Sequence, residues 1–89
     1  MTVSEDFALA EIGRIALREI GIKRSVQPGD RLVHDLGLDS MTLLTLAVAL
    51  EDRFQIVLSD EEATRIETVG ELARCVASRA NGAALEEAS

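Results

Sequence analysis

The chain has 89 residues, is 47% hydrophobic and carries a formal net charge of −7, from 9 Lys and Arg against 16 Asp and Glu. This size predicts one domain with little room for a deep catalytic cleft. The acidic balance argues against nucleic acid and against an anionic membrane surface. The apolar residues are almost all aliphatic, with two Phe and no Tyr or Trp, which favours helices over a sheet.

The first predicted helix begins near residues 2–4, where Thr2 and Glu5 have capping-box spacing. Gly21 is placed to end this helix with a left-handed turn. The stripe of this helix predicted to be buried consists of Ala8, Ile12, Ile15, Ala16 and Ile20. Residues 21–38 predict a long, structured loop with a turn at residues 28–30. The apolar residues expected to hold this loop to the helices are Val26, Leu32, Val33 and Leu36.

A second helix is predicted from about Ser40 to Phe54, with Asp39 as its N-cap. Its predicted buried stripe consists of Leu43, Leu46, Ala47, Leu50 and Phe54. A different face carries Met41, Leu44 and Val48. This helix is therefore either the central one or offers part of its surface to a partner.

Ser59 and Glu62 have capping-box spacing and open a short third helix, which is predicted to end near residue 66. Thr68 and Glu71 open the last helix, which is predicted to end at residues 81–82. Its predicted inward stripe consists of Val69, Leu72, Ala73, Val76 and Ala80. Residues 1–82 are thus expected to form one all-α four-helix bundle, with three longer helices, a short third helix and a long first loop. Residues 83–89 are expected to form a disordered tail.

Cysteine usage and hydropathy bound the expected location. Cys75 is the only cysteine, which excludes an internal disulfide and a cysteine metal cluster. No secretory signal is visible, and no apolar run approaches the length of a membrane span. These features predict a cytoplasmic protein, and Cys75 itself is interpreted as a partly buried filler of the last helix.

Three stretches resemble the acyl carrier protein family in order and spacing: DLGLDSM at residues 35–41, ALEDRFQI at residues 49–56 and SDEEATRIETVGEL at residues 59–72. The resemblance covers nearly the whole chain. It implies a phosphopantetheine-binding carrier, in which Ser40 bears 4′-phosphopantetheine from coenzyme A and Asp39 is the acid that precedes it. Such a chain is no enzyme but a phosphoprotein that holds acyl thioesters for fatty-acid, polyketide or related lipid biosynthesis.

The resemblance also implies partners and their contact residues. The expected partners are a phosphopantetheinyl transferase and acyl-loading and acyl-processing enzymes with basic docking patches. Nucleic acid, membrane insertion and a metal site are not expected, and the chain is expected to be a monomer. The implied partner interface consists of Asp39, Met41, Leu44, Val48, Glu51, Glu61 and Glu62. The implied acyl pocket consists of Leu50, Leu58, Ala63 and Ile66.

The chain departs from the family pattern at Thr42, Thr45 and Thr64, where carriers of fatty acid synthesis usually have acids. Exposed ion pairs contribute only ~0–1 kcal/mol each, but they steer encounter and reject wrong partners. The missing charges therefore predict a specialised carrier with its own enzymes.

Several alternatives stay open from the residues themselves. Ser40 alone is also typical of a simple helix cap. The arm could hold aminoacyl or peptidyl cargo of a nonribosomal pathway, or the chain could be an unmodified helical interaction module. A catalytic set of Ser40, His34 and Asp35 is the weakest interpretation, because nothing in the sequence supplies a supporting shell or an oxyanion site.

Overall fold

The computed structural model describes the backbone of residues 2–88, and their side chains except those of residues 60 and 83–88. Its helices are α1 at Glu5–Ile15, continued by a π-helical segment at Ala16–Ile20, α2 at Ser40–Phe54, α3 at Asp60–Arg65 and α4 at Val69–Ala88. The predicted all-α bundle, with a short third helix and a long first loop, is confirmed. No helix within the described residues combines the length and the apolar character needed to cross a membrane.

The first helix is capped by Ser4, and the capping box predicted at Thr2 is wrong. The Ser4 hydroxyl accepts the N–H of Phe7 at 3.0 Å, which satisfies one free amide of the first turn. The backbone N–H and carbonyl of Val3, the residue before this cap, are both hydrogen-bonded to the side chain of Asn81, which holds the segment that leads into α1. At the other end the predicted left-handed turn is confirmed, since Gly21 has φ 82°.

The last helix continues through the predicted end at residues 81–82. The Asn81 side chain accepts the N–H of Val3 and donates to the carbonyl of Val3, each at 2.8 Å. These bonds occupy the groups through which an asparagine otherwise competes with the helix backbone, so the predicted helix end is wrong. The side chains of residues 83–89 lie outside the described part of the chain, and a disordered tail there stays a prediction.

One apolar core joins α1, α2, α4 and the first loop. Its buried members are Ala8, Ile12, Ile15, Leu32, Leu38, Leu46, Leu50, Val69, Leu72, Ala73, Val76 and Ala77. The predicted stripes supply most of these residues, because helical spacing puts them on one face of each helix. The loop departs from the prediction at Val33, which is 53% exposed; Leu32 and Leu38 enter the core in the same loop.

The long loop between α1 and α2 is fastened to the junction of α3 and α4 by backbone hydrogen bonds. Leu32 donates to the carbonyl of Glu67 at 2.9 Å, and Val69 donates to the carbonyl of Asp30 at 2.9 Å. Gly70 donates to the carbonyl of Pro28 at 2.8 Å, and a Cβ at position 70 would lie 3.0 Å from that oxygen. The loop thus satisfies free amides at the start of α4, and α4 in turn fixes the loop that leads into α2.

A buried carboxylate links α1 to the end of α2. Glu11 is only 7% exposed and accepts Nε of Arg53 at 2.8 Å. The guanidinium of Arg53 also lies over the rings of Phe7 and Phe54, with its carbon 5.7 Å and 5.4 Å from their centroids. Sequence patterns gave no sign of this cluster, which holds the C-terminal end of α2 against α1.

Candidate functional site

Ser40 is the first residue of α2 and is exposed to solvent. The preceding residue, Asp39, is the N-cap: its backbone is extended and its side chain accepts the N–H of Thr42. The interpretation of Ser40 as the capping residue is therefore wrong. Its hydroxyl stands at the N-terminal end of a 15-residue helix, where free amides and the helix dipole favour an anion.

Asp39 and Thr42 form a reciprocal capping box. Thr42 N–H donates to Oδ1 of Asp39 at 2.9 Å, and Asp39 N–H donates to Oγ1 of Thr42 at 2.8 Å. The Thr42 hydroxyl also donates to Oδ1 of Asp39 at 2.9 Å. The backbone N–H of Thr42 contributes most to lowering the pKa of Asp39, followed by the Thr42 hydroxyl, and a smaller desolvation effect opposes them.

The chain approaches Ser40 through a turn that needs a glycine. Gly37 has φ 70°, a left-handed conformation that residues with a side chain rarely adopt. Leu38 follows, buried at 3% exposure, with its N–H donating to the carbonyl of Leu32 at 3.0 Å. Asp35 accepts the N–H of Arg31 at 2.7 Å and so supports this loop. The turn therefore anchors the chain immediately before the exposed pair of Asp39 and Ser40.

An apolar face of α2 lies open to solvent. Met41 is 77% exposed, Leu44 60% and Val48 52%, so the structure leaves uncovered the face that sequence spacing separates from the buried stripe. Between these residues, the Thr45 hydroxyl donates to the carbonyl of Met41 at 3.0 Å. This face provides an apolar contact surface beside Ser40.

Of the three glutamates predicted for the partner interface, two make contacts within the protein. Glu51 is half-buried and accepts the N–H of Leu58 at 2.8 Å. Glu62 is half-buried, accepts Nε of Arg79 at 3.1 Å, and fastens α3 to α4. Glu61 is exposed. The structure therefore uses Glu51 and Glu62 to hold the region of α3, and it leaves Glu61 open to solvent.

A cavity of about 300 Å³ opens between α2 and α3. Leu58, Ala63 and Ile66, three of the four residues that the resemblance assigns to an acyl pocket, line this cavity, whereas Leu50 is fully buried in the core. The lining residues of α2 that the prediction missed are Leu43, Leu44, Leu46, Ala47 and Glu51. Ser40 is at the rim, so a search at helical spacing from Ser40 would have found positions 43, 44, 47 and 51.

Cys75 and His34, two further residues considered in the sequence analysis, differ in their exposure to solvent. Cys75 is half-buried with its Sγ 3.6 Å from Oε2 of Glu62, and burial raises the pKa of its thiol. His34 is exposed on the loop. Among the residues that the structure describes, no group of His, Cys, Asp and Glu has the arrangement of a metal site.

The family model for the phosphopantetheine attachment site matches residues 10–76, about three quarters of the chain. The chain belongs to the acyl carrier protein family. Proteins of this family carry a covalent 4′-phosphopantetheine group and are not themselves catalysts. They interact with phosphopantetheinyl transferases and with acyl-processing enzymes. The exposed hydroxyl at the start of α2 fits the group, because a phosphate ester there meets the positive end of the helix.

Individual relatives agree with this assignment. The acyl carrier protein of Wolinella succinogenes is 34% identical over 67 residues, which are 74% of this chain and 88% of the relative. An acyl carrier protein from Thermotoga maritima, known from a crystal structure, is 27% identical in sequence to this chain. The two structures superpose with a TM-score of 0.77 over 96% of this chain and 94% of the Thermotoga chain. A Mycobacterium tuberculosis protein assigned as an acyl carrier protein is 36% identical, with a TM-score of 0.74 over 79% of this chain and 95% of its own.

The lowered pKa of Asp39 predicts an acid-dependent contribution of the capping box to stability. The ionised carboxylate stabilises the fold above its unfolded pKa of about 3.9, and this stabilisation is lost as the pH falls through the lower folded pKa. Asp39→Asn keeps a good capping residue but cannot titrate. As the pH is lowered from about 5, the thermal midpoint of the wild type should therefore fall relative to that of Asp39→Asn. Parallel curves of midpoint against pH would contradict this account of the cap.

Proposed function

We propose that Ser40 is the residue that bears the phosphopantetheine arm, and that the protein carries acyl intermediates as thioesters on it. This proposal depends on one observation at the start of α2. Asp39 caps the helix, and Ser40 is exposed as the first helical residue. The arm supplies a terminal thiol that can hold an acyl group. The polypeptide itself therefore does not need to provide such a thiol.

Ser40 acts in this proposal as an acceptor whose hydroxyl proton goes to a base of the transferase. Asp39 is poorly suited to take that proton, because its carboxylate already accepts hydrogen bonds from Thr42 and its pKa is lowered. Asp39 therefore positions the start of the helix, and its negative charge next to Ser40 offers basic residues of a partner a contact.

The cavity between α2 and α3 is the proposed place for part of the acyl chain. Its lining is mainly apolar, from Leu43, Leu46, Leu58 and Ile66, and its rim reaches Ser40. An apolar chain that enters it leaves water, which stabilises the loaded state in proportion to the area buried.

The proposed partner surface consists of Asp39, Met41, Leu44, Val48 and Glu61. Its centre is apolar, and the positions that usually carry acids hold Thr42 and Thr45. Both threonines bond within α2, so they present methyl groups and occupied hydroxyls where other carriers present charge. This chemistry supports a specialised carrier of fatty-acid, polyketide or related lipid biosynthesis. We expect it to act as a monomer in the cytoplasm.

Replacing Ser40 should abolish modification without harming the fold. Ser40→Ala should keep its unmodified mass after incubation with coenzyme A, Mg²⁺ and a promiscuous phosphopantetheinyl transferase, while the wild type gains the mass of the arm. Ser59 provides a matched control, since its hydroxyl caps α3 by accepting the N–H of Glu62 at 3.2 Å. Ser59→Ala should lose about 1 kcal/mol of stability yet be modified normally. Modification of Ser40→Ala would refute the assignment.

Restoring acids to the recognition helix should broaden the set of enzymes that accept this carrier. Thr42→Glu with Thr45→Glu retains a capping-box residue at position 42 and should raise kcat/KM with a generic fatty acid synthase set, most at low salt. Thr2→Glu with Ser78→Glu adds the same charge at other exposed positions. An equal gain from that control, or a wild type as active as a housekeeping carrier, would count against the specialised role.

Closing the cavity should expose the cargo to water. Ala63→Phe puts a ring at the exposed edge of the cavity, so an octanoyl thioester on the arm should hydrolyse faster than on the wild type. Ser78→Phe puts the same ring on an exposed position of α4 and should leave the half-life unchanged. Unchanged hydrolysis in Ala63→Phe, with unshifted amide resonances of Leu58 and Ile66 on acylation, would exclude this cavity as the cargo site.

A further inference from the structure

The third helix has little apolar contact with the rest of the bundle. α3 has six residues, Asp60–Arg65, and of its described side chains only that of Glu62 is not exposed. None of these described side chains belongs to the buried core, whereas Ile66, just after the helix, packs against that core. Polar contacts of Glu62 must therefore do much of the work of holding the middle of α3 in place.

Glu62 makes a two-point contact with Arg79 of α4. Oε2 of Glu62 accepts Nε of Arg79 at 3.1 Å, and Oε1 of Glu62 pairs with Nη2 of Arg79. A guanidinium that meets both oxygens of one carboxylate forms a bidentate pair, which is stronger and more directional than a single contact. The Glu62 side chain is 26% exposed and that of Arg79 46%, so salt and solvent screen this pair only in part.

The same carboxylate contacts the thiol of Cys75. Sγ of Cys75 lies 3.6 Å from Oε2 of Glu62. Cys75 is four residues before Arg79 on α4, a spacing that puts the two side chains on one face of the helix. Because Cys75 is half-buried and lies against Glu62, a movement of α3 away from α4 would uncover its thiol.

Both flanks of α3 are tied to other parts of the chain. On the N-terminal side, Leu58 donates its N–H to the side chain of Glu51 at 2.8 Å. On the C-terminal side, the carbonyl of Glu67 accepts the N–H of Leu32 at 2.9 Å. The helix between these two ties can therefore move outward without releasing the segments on either side of it.

We propose that the pair of Glu62 and Arg79 is a latch, the α3 latch, that determines how readily α3 opens the cavity. Ala63 and Thr64, the next two residues of α3, line the cavity, so an outward movement of the helix displaces this wall. Among the described side chains of α3, only that of Glu62 bonds to another helix. The free energy of such a local opening is set by the contacts that it breaks, and the bidentate pair is the strongest of them.

The consequence for cargo rests on the cavity proposed above as the place for the acyl chain. A closed latch keeps the wall of the cavity against the chain and keeps water from it. An open latch gives the chain a way in and out. The α3 latch therefore adds residues outside the cavity lining to those that determine how long this carrier protects its cargo.

The first test is the rate at which iodoacetamide alkylates the unmodified chain, which has one thiol, that of Cys75. Arg79→Lys keeps the charge and leaves Glu62 in place, but an ammonium group cannot make the bidentate contact. We expect alkylation about fivefold faster than in the wild type, once each rate is referred to the thiolate by measurement over a range of pH. Hydrogen exchange of the core amide of Ile12 should stay unchanged, because only α3 opens.

Arg74→Lys is the matched control, because it makes the same substitution on the same helix at a weaker pair. Nε of Arg74 is 3.9 Å from Oε1 of Glu5, and these side chains are 71% and 62% exposed. Arg74→Lys should be alkylated at the wild-type rate. Arg79→Glu alone should be alkylated faster than the wild type, and adding Glu62→Arg should restore slow alkylation by reversing the pair.

The second test uses the loaded carrier, on which an octanoyl thioester should hydrolyse faster in Arg79→Lys than in the wild type or in Arg74→Lys. Alkylation of Arg79→Lys at the wild-type rate, or equal acceleration by Arg74→Lys, would overturn the latch whether or not the arm is attached. Faster exchange at Ile12 in Arg79→Lys would also overturn it, since the whole fold would then be opening. Faster alkylation with unchanged hydrolysis would instead support the latch and contradict the cargo site proposed above.

Discussion

The carrier site depends on one reciprocal set of hydrogen bonds, between Asp39 and Thr42 at the start of α2. Each backbone N–H is bonded to the side chain of the other residue, so the helix begins at a fixed point without using the hydroxyl of Ser40. The long loop makes this possible, because Leu38 is buried beside the cap and Gly37 supplies the left-handed turn before it. A rigid helix start and an exposed hydroxyl are therefore produced by neighbouring residues with separate tasks.

The carboxylates of this acidic protein have different roles, which net charge alone does not reveal. Glu11, with Arg53, joins α1 to the end of α2, and Glu62, with Arg79, joins α3 to α4. Glu51 holds the segment before α3 through the N–H of Leu58. Acids that would steer partners are correspondingly few on α2, where apolar side chains dominate. Shape and apolar contact should accordingly contribute more to partner choice than long-range attraction does.

Local rules predicted much of this fold, because helical periodicity and capping depend on residues three or four apart. The bounds of α2, the cap at Asp39 and most of the core follow from such spacing. One failure is local, since Ser4 and not Thr2 caps α1, and another depends on a contact between residues far apart in sequence. Asn81 does not end α4 because its partner is Val3, 78 positions away. Leu50 was assigned to the cavity by the family resemblance, but it is fully buried in the core, as the helical spacing of the buried stripe predicted.

The central claim is that the arm is attached at Ser40, and peptide mapping of the modified protein tests it most directly. Cleavage after arginine releases residues 32–53 as one peptide, which contains Ser40 together with the cap and the exposed face of α2. Fragmentation should locate the phosphopantetheine on Ser40 of this peptide and leave the peptides with Ser4, Ser59 and Ser78 unmodified. An arm on any of those other serines, or a peptide 32–53 that stays unmodified while the intact protein gains the mass, would contradict the account.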